Sequence, residues 1–349
     1  MKEKILKQTA GIDVAQKELV VQLGRLNEDL SQELYAHNTF PNHRKGFKSL
    51  MAWVKKHSDR SVSLSYVMEA TGVYHEPVAY FLDEQGLSVH IVLPNKISAY
   101  MRTLDNKTIT DLSCAEAICR FGLERKLEPW QKPAPVYRSL RQLTRERDQL
   151  IEMRTMSKNM LHAEGAGAHP YDPIRKRLQA HIAFLDKQIS QIHKEIEEIL
   201  KSNKEVKQQA GLISTICGIG QLTAVTLLAE TSGFDQIKNK RQLTSYAGLD
   251  IREKQSGTSV KGKSRISKRG NKHLRKCLHL PALTAIRHDQ RFKAVFERLV
   301  ARHGIKMKAV VAIQRKLLEI AYAVYKTGVP YDKNYILNKQ NEEQPALQN

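Results

Sequence analysis

Hydrophobic positions follow two regimes along the chain. Up to about residue 130, short β-branched runs alternate with amphipathic stretches; beyond it, apolar residues recur mostly at helical spacing. Residues 11–23 (GIDVAQKELVVQL) predict a strand, a tight turn and a second strand, with Asp13 interrupting the first. Residues 33–40 predict a third strand, and 42–57 a helix with Phe47, Leu50, Met51 and Val54 on one face. A strand over 63–68 delivers Glu69 at its carboxyl end. A helix over about 74–85 follows, then a strand over 87–93 closed by Pro94, then a helix over 111–121 that opens on Asp111. This alternation predicts an α/β domain with a mixed sheet, in which sites form at the carboxyl ends of strands.

The second regime begins after a linker, 129–135 (PWQKPAP). A charged helix over 136–164 carries Leu140, Leu143, Leu150 and Leu161, and the stretch 165–173 must break it. On the return helix, Ile182, Leu185, Ile189, Ile192, Ile196 and Ile199 follow one another at alternating spacings of three and four, a heptad seam. Residues 136–206 therefore form an antiparallel helical hairpin or an oligomerising coiled coil; a packed helix pair without a partner is the plainer alternative. In 211–230 two apolar helices flank a Gly218-Ile219-Gly220 turn, resembling a helix-hairpin-helix whose amides meet a DNA phosphate. Close helix packing would explain the same glycines. Helices resume from Asn271, the longest over 307–326, and the polar stretch 333–349 is expected to be disordered. The division is thus 1–135, 136–206, 207–332 and a tail, 333–349.

Charge narrows the partner. Lys and Arg number 57 against 36 Asp and Glu, a net +21, with a pI near 9.7. An extended polyanion is the expected partner, and a membrane is not, because no apolar run approaches a bilayer span. No signal peptide is evident at the N-terminus, and the four cysteines form no CxxC pair. A cytoplasmic protein with free thiols is expected, nucleoid-associated when DNA-bound. The densest basic stretch runs from 253 to 276 (EKQSGTSVKGKSRISKRGNKHLRK), with nine Lys or Arg after Glu253 and no further acid. Its glycines and small hydroxyls admit a phosphate closely. It is either a solvated phosphate grip or the site where a hydroxyl, Ser256 first, attacks a phosphate.

Asp13, Glu69 and Asp111 lie mid-strand, at a strand end and at a helix start. Singly, such acids can be ordinary, Asp111 as a helix N-cap. Together they make the pattern of ribonuclease-H-like nucleases, whose carboxylates hold one or two Mg²⁺ ions.

The pieces GIDVAQKEL, EATGVYHEP, NKTITDLSCAEAICRFG, the GIG turn, YAGLDIREKQSGTSVKGKSRISKRGNKHLRK and RKLLEIAYAVYKTGVPYD occur in this order. Together they resemble the transposases of the "one-ten" insertion-sequence family, the bridge-RNA-guided recombinases. The resemblance covers nearly the whole chain up to Asp332. It implies a RuvC-like, RNase-H-fold domain with a DEDD acid set, a coiled coil, and a mainly helical C-terminal transposase domain with a nucleophilic serine. Residue by residue, Asp13, Glu69 and Asp111 match the first three acids and Ser256 the serine. Where the family pattern TDxxDA has its fourth acid, this chain has Cys114, a poor Mg²⁺ ligand. Three carboxylates and water are expected to suffice; Glu116 and Asp105 are the neighbours that could substitute. The resemblance further implies Mg²⁺, donor and target duplex DNA, a structured guide RNA and a homo-oligomer, dimer or tetramer. Lys261, Lys263, Arg265, Lys268 and Arg269, with Gly218 and Gly220, would hold phosphates. A RuvC-type junction nuclease and a non-catalytic nucleic-acid-binding protein are the other readings.

Overall fold

The computed structural model describes residues 4–70, 72–104, 108–253, 255–256, 260–262 and 265–332. Asp105, Lys263 and the tail 333–349 lie outside the described residues. The chain divides into two compact units, Met1–Lys132 and Pro133–Asn349.

The first unit is built on a five-stranded sheet. Strands β1 (Ile5–Val14), β2 (Glu18–Asn27) and β3 (Gln32–Pro41) form an antiparallel meander. Helix α1 (Arg44–His57) leads to β4 (Leu64–Glu69), α2 (Glu76–Glu84) leads to β5 (Ser88–Val92), and α3 (Pro94–Met101) and α4 (Asp111–Glu124) complete the unit. The order is β3-β2-β1-β4-β5, with β4 parallel to β1 and β5 parallel to β4. The inner strands contribute to two apolar clusters. Ala10, Ile12, Tyr66 and Met68 pack with Phe47, Leu50 and Val54 of α1 and Val78 and Leu82 of α2. Val67 and Val92 pack with Ile97 and Tyr100 of α3 and Ala117, Ile118 and Phe121 of α4.

Two local expectations change. Pro94 does not merely end a strand; it sits in the first turn of α3, where its missing N–H leaves nothing unsatisfied. Asp111 is not the N-cap of α4. Thr110 is: its hydroxyl accepts from the Ser113 amide while the Ser113 hydroxyl accepts from the Thr110 amide.

The described part of the second unit is mainly helical. It comprises α5 (Pro135–Ala166), α6 (Asp172–Ser202), α7 (Lys204–Ser214), α8 (Gln221–Thr231) and α9 (Lys240–Tyr246). Four two-residue strands follow: β6 (Ile251–Arg252), β7 (Gln255–Ser256), β8 (Val260–Lys261) and β9 (Arg265–Ile266). Helices α10 (Lys272–Cys277), α11 (His279–His288), α12 (Gln290–His303) and α13 (Lys306–Thr327) close it. Helices α5 and α6 form an antiparallel hairpin, tied by Arg147–His193, Arg154–Asp186 and Ser157–His181. The heptad seam is already filled within this chain. Leu185, Ile189, Ile192 and Ile196 are buried, and Ile192 and Ile196 belong to the core that contains Tyr137, Leu140 and the α8 side chains. Ile182 and Ile199 at the two ends of the seam are half-buried, and Met153, Met156, Met160 and Phe184 of the same hairpin are exposed. Among the described residues no helix is long and apolar enough to cross a membrane.

Candidate active site

Three carboxylates are placed by the sheet and by one helix. Asp13 is the penultimate residue of β1, and Glu69 ends β4. The parallel register pairs Ile12 with Met68, so Asp13 and Glu69 are the next residues on neighbouring strands. Alternation along β1 puts Asp13 on the face of Gly11, the face that α4 covers. Gly11 sets how close α4 comes: a Cβ there would land on the backbone of Ala115 and Cys119. One turn earlier on that helix stand Asp111 and Cys114.

The electrostatics record the convergence. The Asp13 carboxyl is pushed from 3.8 up to about 6, first by burial, then by the charges of Asp111 and Glu69, against a lowering hydrogen bond at Val14. Burial also raises Glu69. The Cys114 thiol rises to about 11, by burial and then by Asp13, Asp111 and Glu69, so it stays protonated at neutral pH. The position aligned with the fourth acid thus lies in the field of the other three, but without a charge. The Glu116 charge acts on the buried Cys119, as expected for a residue on another face of the helix.

Among the described residues, no three His, Cys, Asp or Glu side chains stand close enough to hold one metal ion. The acids therefore share a field without closing to ligating distance. By donor chemistry, three carboxylates beside a neutral thiol fit a hard, oxygen-seeking divalent cation such as Mg²⁺ and not a thiolate-seeking one.

The serine stretch is a β-arm and not an open loop. At its base β6 pairs with β9, Ile251 opposite Ile266 and Arg252 opposite Arg265. Further out β7 pairs with β8, Gln255 opposite Lys261 and Ser256 opposite Val260. Ser256 is therefore the last residue of β7, opposite Val260. The base is fastened below: the Ser267 amide donates to the Asp250 carbonyl, and the Lys268 amide to that of Gly248. Lys268 takes a left-handed φ of 53° to do so. Arg265, Lys268 and Arg269 are exposed, and Lys261 supplies the backbone of β8.

Sequence reasoning missed the anchor behind this arm. Glu230, only 1% exposed, receives both forks of Arg145 at 2.7 and 2.8 Å and the Asn271 amide nitrogen at 2.7 Å. Burial alone would raise its carboxyl, but those donors hold it below the usual range. Asn271 meanwhile caps α10, accepting from the His273 and Leu274 amides. The signal was one acid closing the otherwise apolar helix LTAVTLLAE.

The glycine turn divides in role. Gly218 has a φ of +89°, and a Cβ there would meet the Pro281 carbonyl of α11. Close packing against α11 is thus one reason for glycine at this position. Gly220, before α8, faces open space, and α8 has no side-chain cap.

Comparison with known proteins gives the family. Residues 10–164 match a DEDD transposase family of the IS110 kind, and residues 210–297 match the Transposase IS116/IS110/IS902 family. The chain is 30% identical over 304 residues to a pilin gene-inverting protein of Moraxella bovis, covering 85% of this chain and 92% of that protein. It is 24% identical over 291 residues to the transposase for insertion sequence element IS1111A of Coxiella burnetii, covering 74% of this chain and 76% of that one. Among solved structures, Thermus thermophilus RuvC matches 35% of this chain and 99% of its own at 12% identity, with a TM-score of 0.28. That likeness is too loose to bear on function.

Proposed function

Because the chain belongs to the IS110 family of transposases and is thus a DNA-cleaving and recombining enzyme, we propose that it exchanges DNA strands through two sets of residues, Asp13, Glu69 and Asp111 in the first unit and Ser256 in the second. The observation that carries this reading is the placing of three carboxylates in one field, where Asp13 rises to about 6, first by burial and then by the charges of Asp111 and Glu69. Like charges crowd this way at a cost, and a divalent cation is the partner that offsets it. The strand order β3-β2-β1-β4-β5 supports an RNase-H-like, RuvC-type reading of the first unit.

In the reaction the Ser256 hydroxyl oxygen attacks a DNA phosphorus. A bond forms between serine and phosphate, the bond to the leaving strand breaks, and the released oxygen takes a proton. The reverse attack by another strand's hydroxyl rejoins DNA and frees Ser256, so no bond energy is lost to water. Mg²⁺, when held by Asp13, Glu69 and Asp111, supplies Lewis acidity toward phosphate oxygens. Arg265, Lys268, Arg269, Lys261 and Lys263 steady the phosphates of the strand, Arg by bidentate contact, and Gly220 offers an open amide. Glu230, Arg145 and Asn271 hold the arm's base. The net charge of +21 supports binding both DNA and a structured guide RNA that reads the target by pairing. A homo-oligomer, dimer or tetramer, belongs to the same reading.

Strand exchange on a donor DNA, with the RNA that co-purifies, tests the shared role. Ser256→Ala and Asp13→Ala should each abolish exchange, and the double variant should be no worse. Cleavage that persists in Ser256→Ala would favour a metal-dependent nuclease in which Ser256 only binds phosphate.

A further inference from the structure

Large apolar side chains are exposed at six described positions of the first unit: Leu6, Leu30, Val73, Tyr74, Leu93 and Ile109. Four of them neighbour the acids along the chain or in strand register. Leu93, 57% exposed, follows Val92, the β5 partner of Glu69. Ile109, 78% exposed, stands two residues before Asp111. Val73 and Tyr74, 66% and 40% exposed, lie in the segment after Glu69. The Asn42 side-chain amide pins that segment, donating to the Tyr74 carbonyl and to the carbonyl of Ala15, two residues beyond Asp13. The segment after β4, the end of β5 and the approach to α4 thus each bring an exposed apolar group close to one of these carboxylates, and Asn42 ties the first of them to the end of β1.

Single exposed apolar residues are ordinary, but four around one polar site are not. What covers them is constrained by what the cluster serves. Phosphates and sugars offer nothing to Val, Leu or Ile. A DNA strand offers these groups, and a tyrosine ring, the faces of its bases. Those faces are closed in a continuous duplex and open only when a step is unstacked, as apolar wedges do elsewhere.

We propose that Val73, Tyr74, Leu93 and Ile109 form a base-stacking rim that receives unstacked nucleobases of the DNA strand held at the acid cluster. The rim selects locally opened DNA over continuous duplex. The inference rests on the acid cluster being the cleavage site, and two readouts keep the two ideas separable.

The first readout is strand exchange on a fully paired donor and on the same donor with a two-nucleotide mismatch at the exchange point. Tyr74→Ala/Ile109→Ala should lose about tenfold or more on the paired donor, and the mismatch should restore it to within about threefold of wild type. Leu30→Ala, remote from the acids, should behave as wild type on both. An unchanged rate on the paired donor overturns the rim, and so does an equal loss on both donors. The second readout is 2-aminopurine fluorescence, with the probe placed at successive positions of the exchange site in a bound duplex. It should rise with wild type and with Asp13→Ala but not with Tyr74→Ala/Ile109→Ala. No rise with wild type overturns the rim even if cleavage is normal. Retained exchange in Asp13→Ala overturns the acid site instead, and the fluorescence then judges the rim alone. Thermal melting confirms that these surface variants fold.

Discussion

At Asp13 two demands on one side chain conflict. Its carboxyl is half-buried beside Asp111 and Glu69, and its pKa moves from 3.8 to about 6. A folded-state pKa above the unfolded one means stability that is full below about pH 3.8 and lost as pH rises through about 6. In metal-free buffer at pH 7.5, Asp13→Asn should therefore stabilise the first unit. Allowing for solvent screening of a partly exposed group, the gain is about 1–2 kcal/mol. Melting curves across pH check this: the gain should vanish near pH 4 and shrink when Mg²⁺ is added to wild type. An equal gain at every pH would mean that Asp13 is merely a misfit in its strand. All three acids could be found in the sequence because each breaks a local rule or ends an element. Cys114 could be placed among them only by alignment with a family pattern, since its apolar neighbours give no sign of the field it sits in. The rim residues were invisible because Val73 and Ile109 look like the approaches to helices.

At the scale of elements, what the sequence reveals depends on periodicity. Strands β1 to β5 and helices α1, α2 and α4 announce themselves through alternation and amphipathic spacing. Helix α3 does not, because Pro94 is equally at home ending a strand or starting a helix. The heptad on α6 was visible, but periodicity names a buried stripe without naming what buries it, and here α5 and the core of the second unit do. The β-arm carrying Ser256 could not be read because strands of only two residues are too short to show a pattern. Such a two-stranded arm is marginal alone in water, and its fastening through Ser267, Lys268 and Asn271 compensates. The element contact that builds the acid site is α4 against β1 at Gly11. Gly11→Ala drives a methyl into the α4 backbone and should destabilise the first unit by about 3 kcal/mol. The same variant should lose exchange activity even at temperatures where it stays folded, because Asp111 and Cys114 ride on the displaced helix. Chemical denaturation and an exchange assay on one preparation check both; wild-type behaviour in both would mean that α4 does not set the site.

At the scale of the whole molecule, charge and chemistry are divided between units. The first unit supplies acids, while the second carries the most basic stretch and the serine. A chain of +21 should bind duplex DNA and structured RNA with affinity that falls by orders of magnitude between roughly 50 and 200 mM salt, if several phosphates are contacted. Titrations by fluorescence anisotropy at four salt concentrations give the slope, and a flat response would remove the electrostatic account of binding. The central claim is that a serine becomes covalently joined to DNA in a reaction that also needs the acid cluster. Its most direct measurement is the denaturing-gel mobility of labelled donor DNA after incubation with protein, its RNA and Mg²⁺. A slow band that survives denaturant should form with wild type and be absent with Ser256→Ala, with Asp13→Ala and without divalent cation. A band that persists in Ser256→Ala, or forms equally well without Asp13, would contradict it.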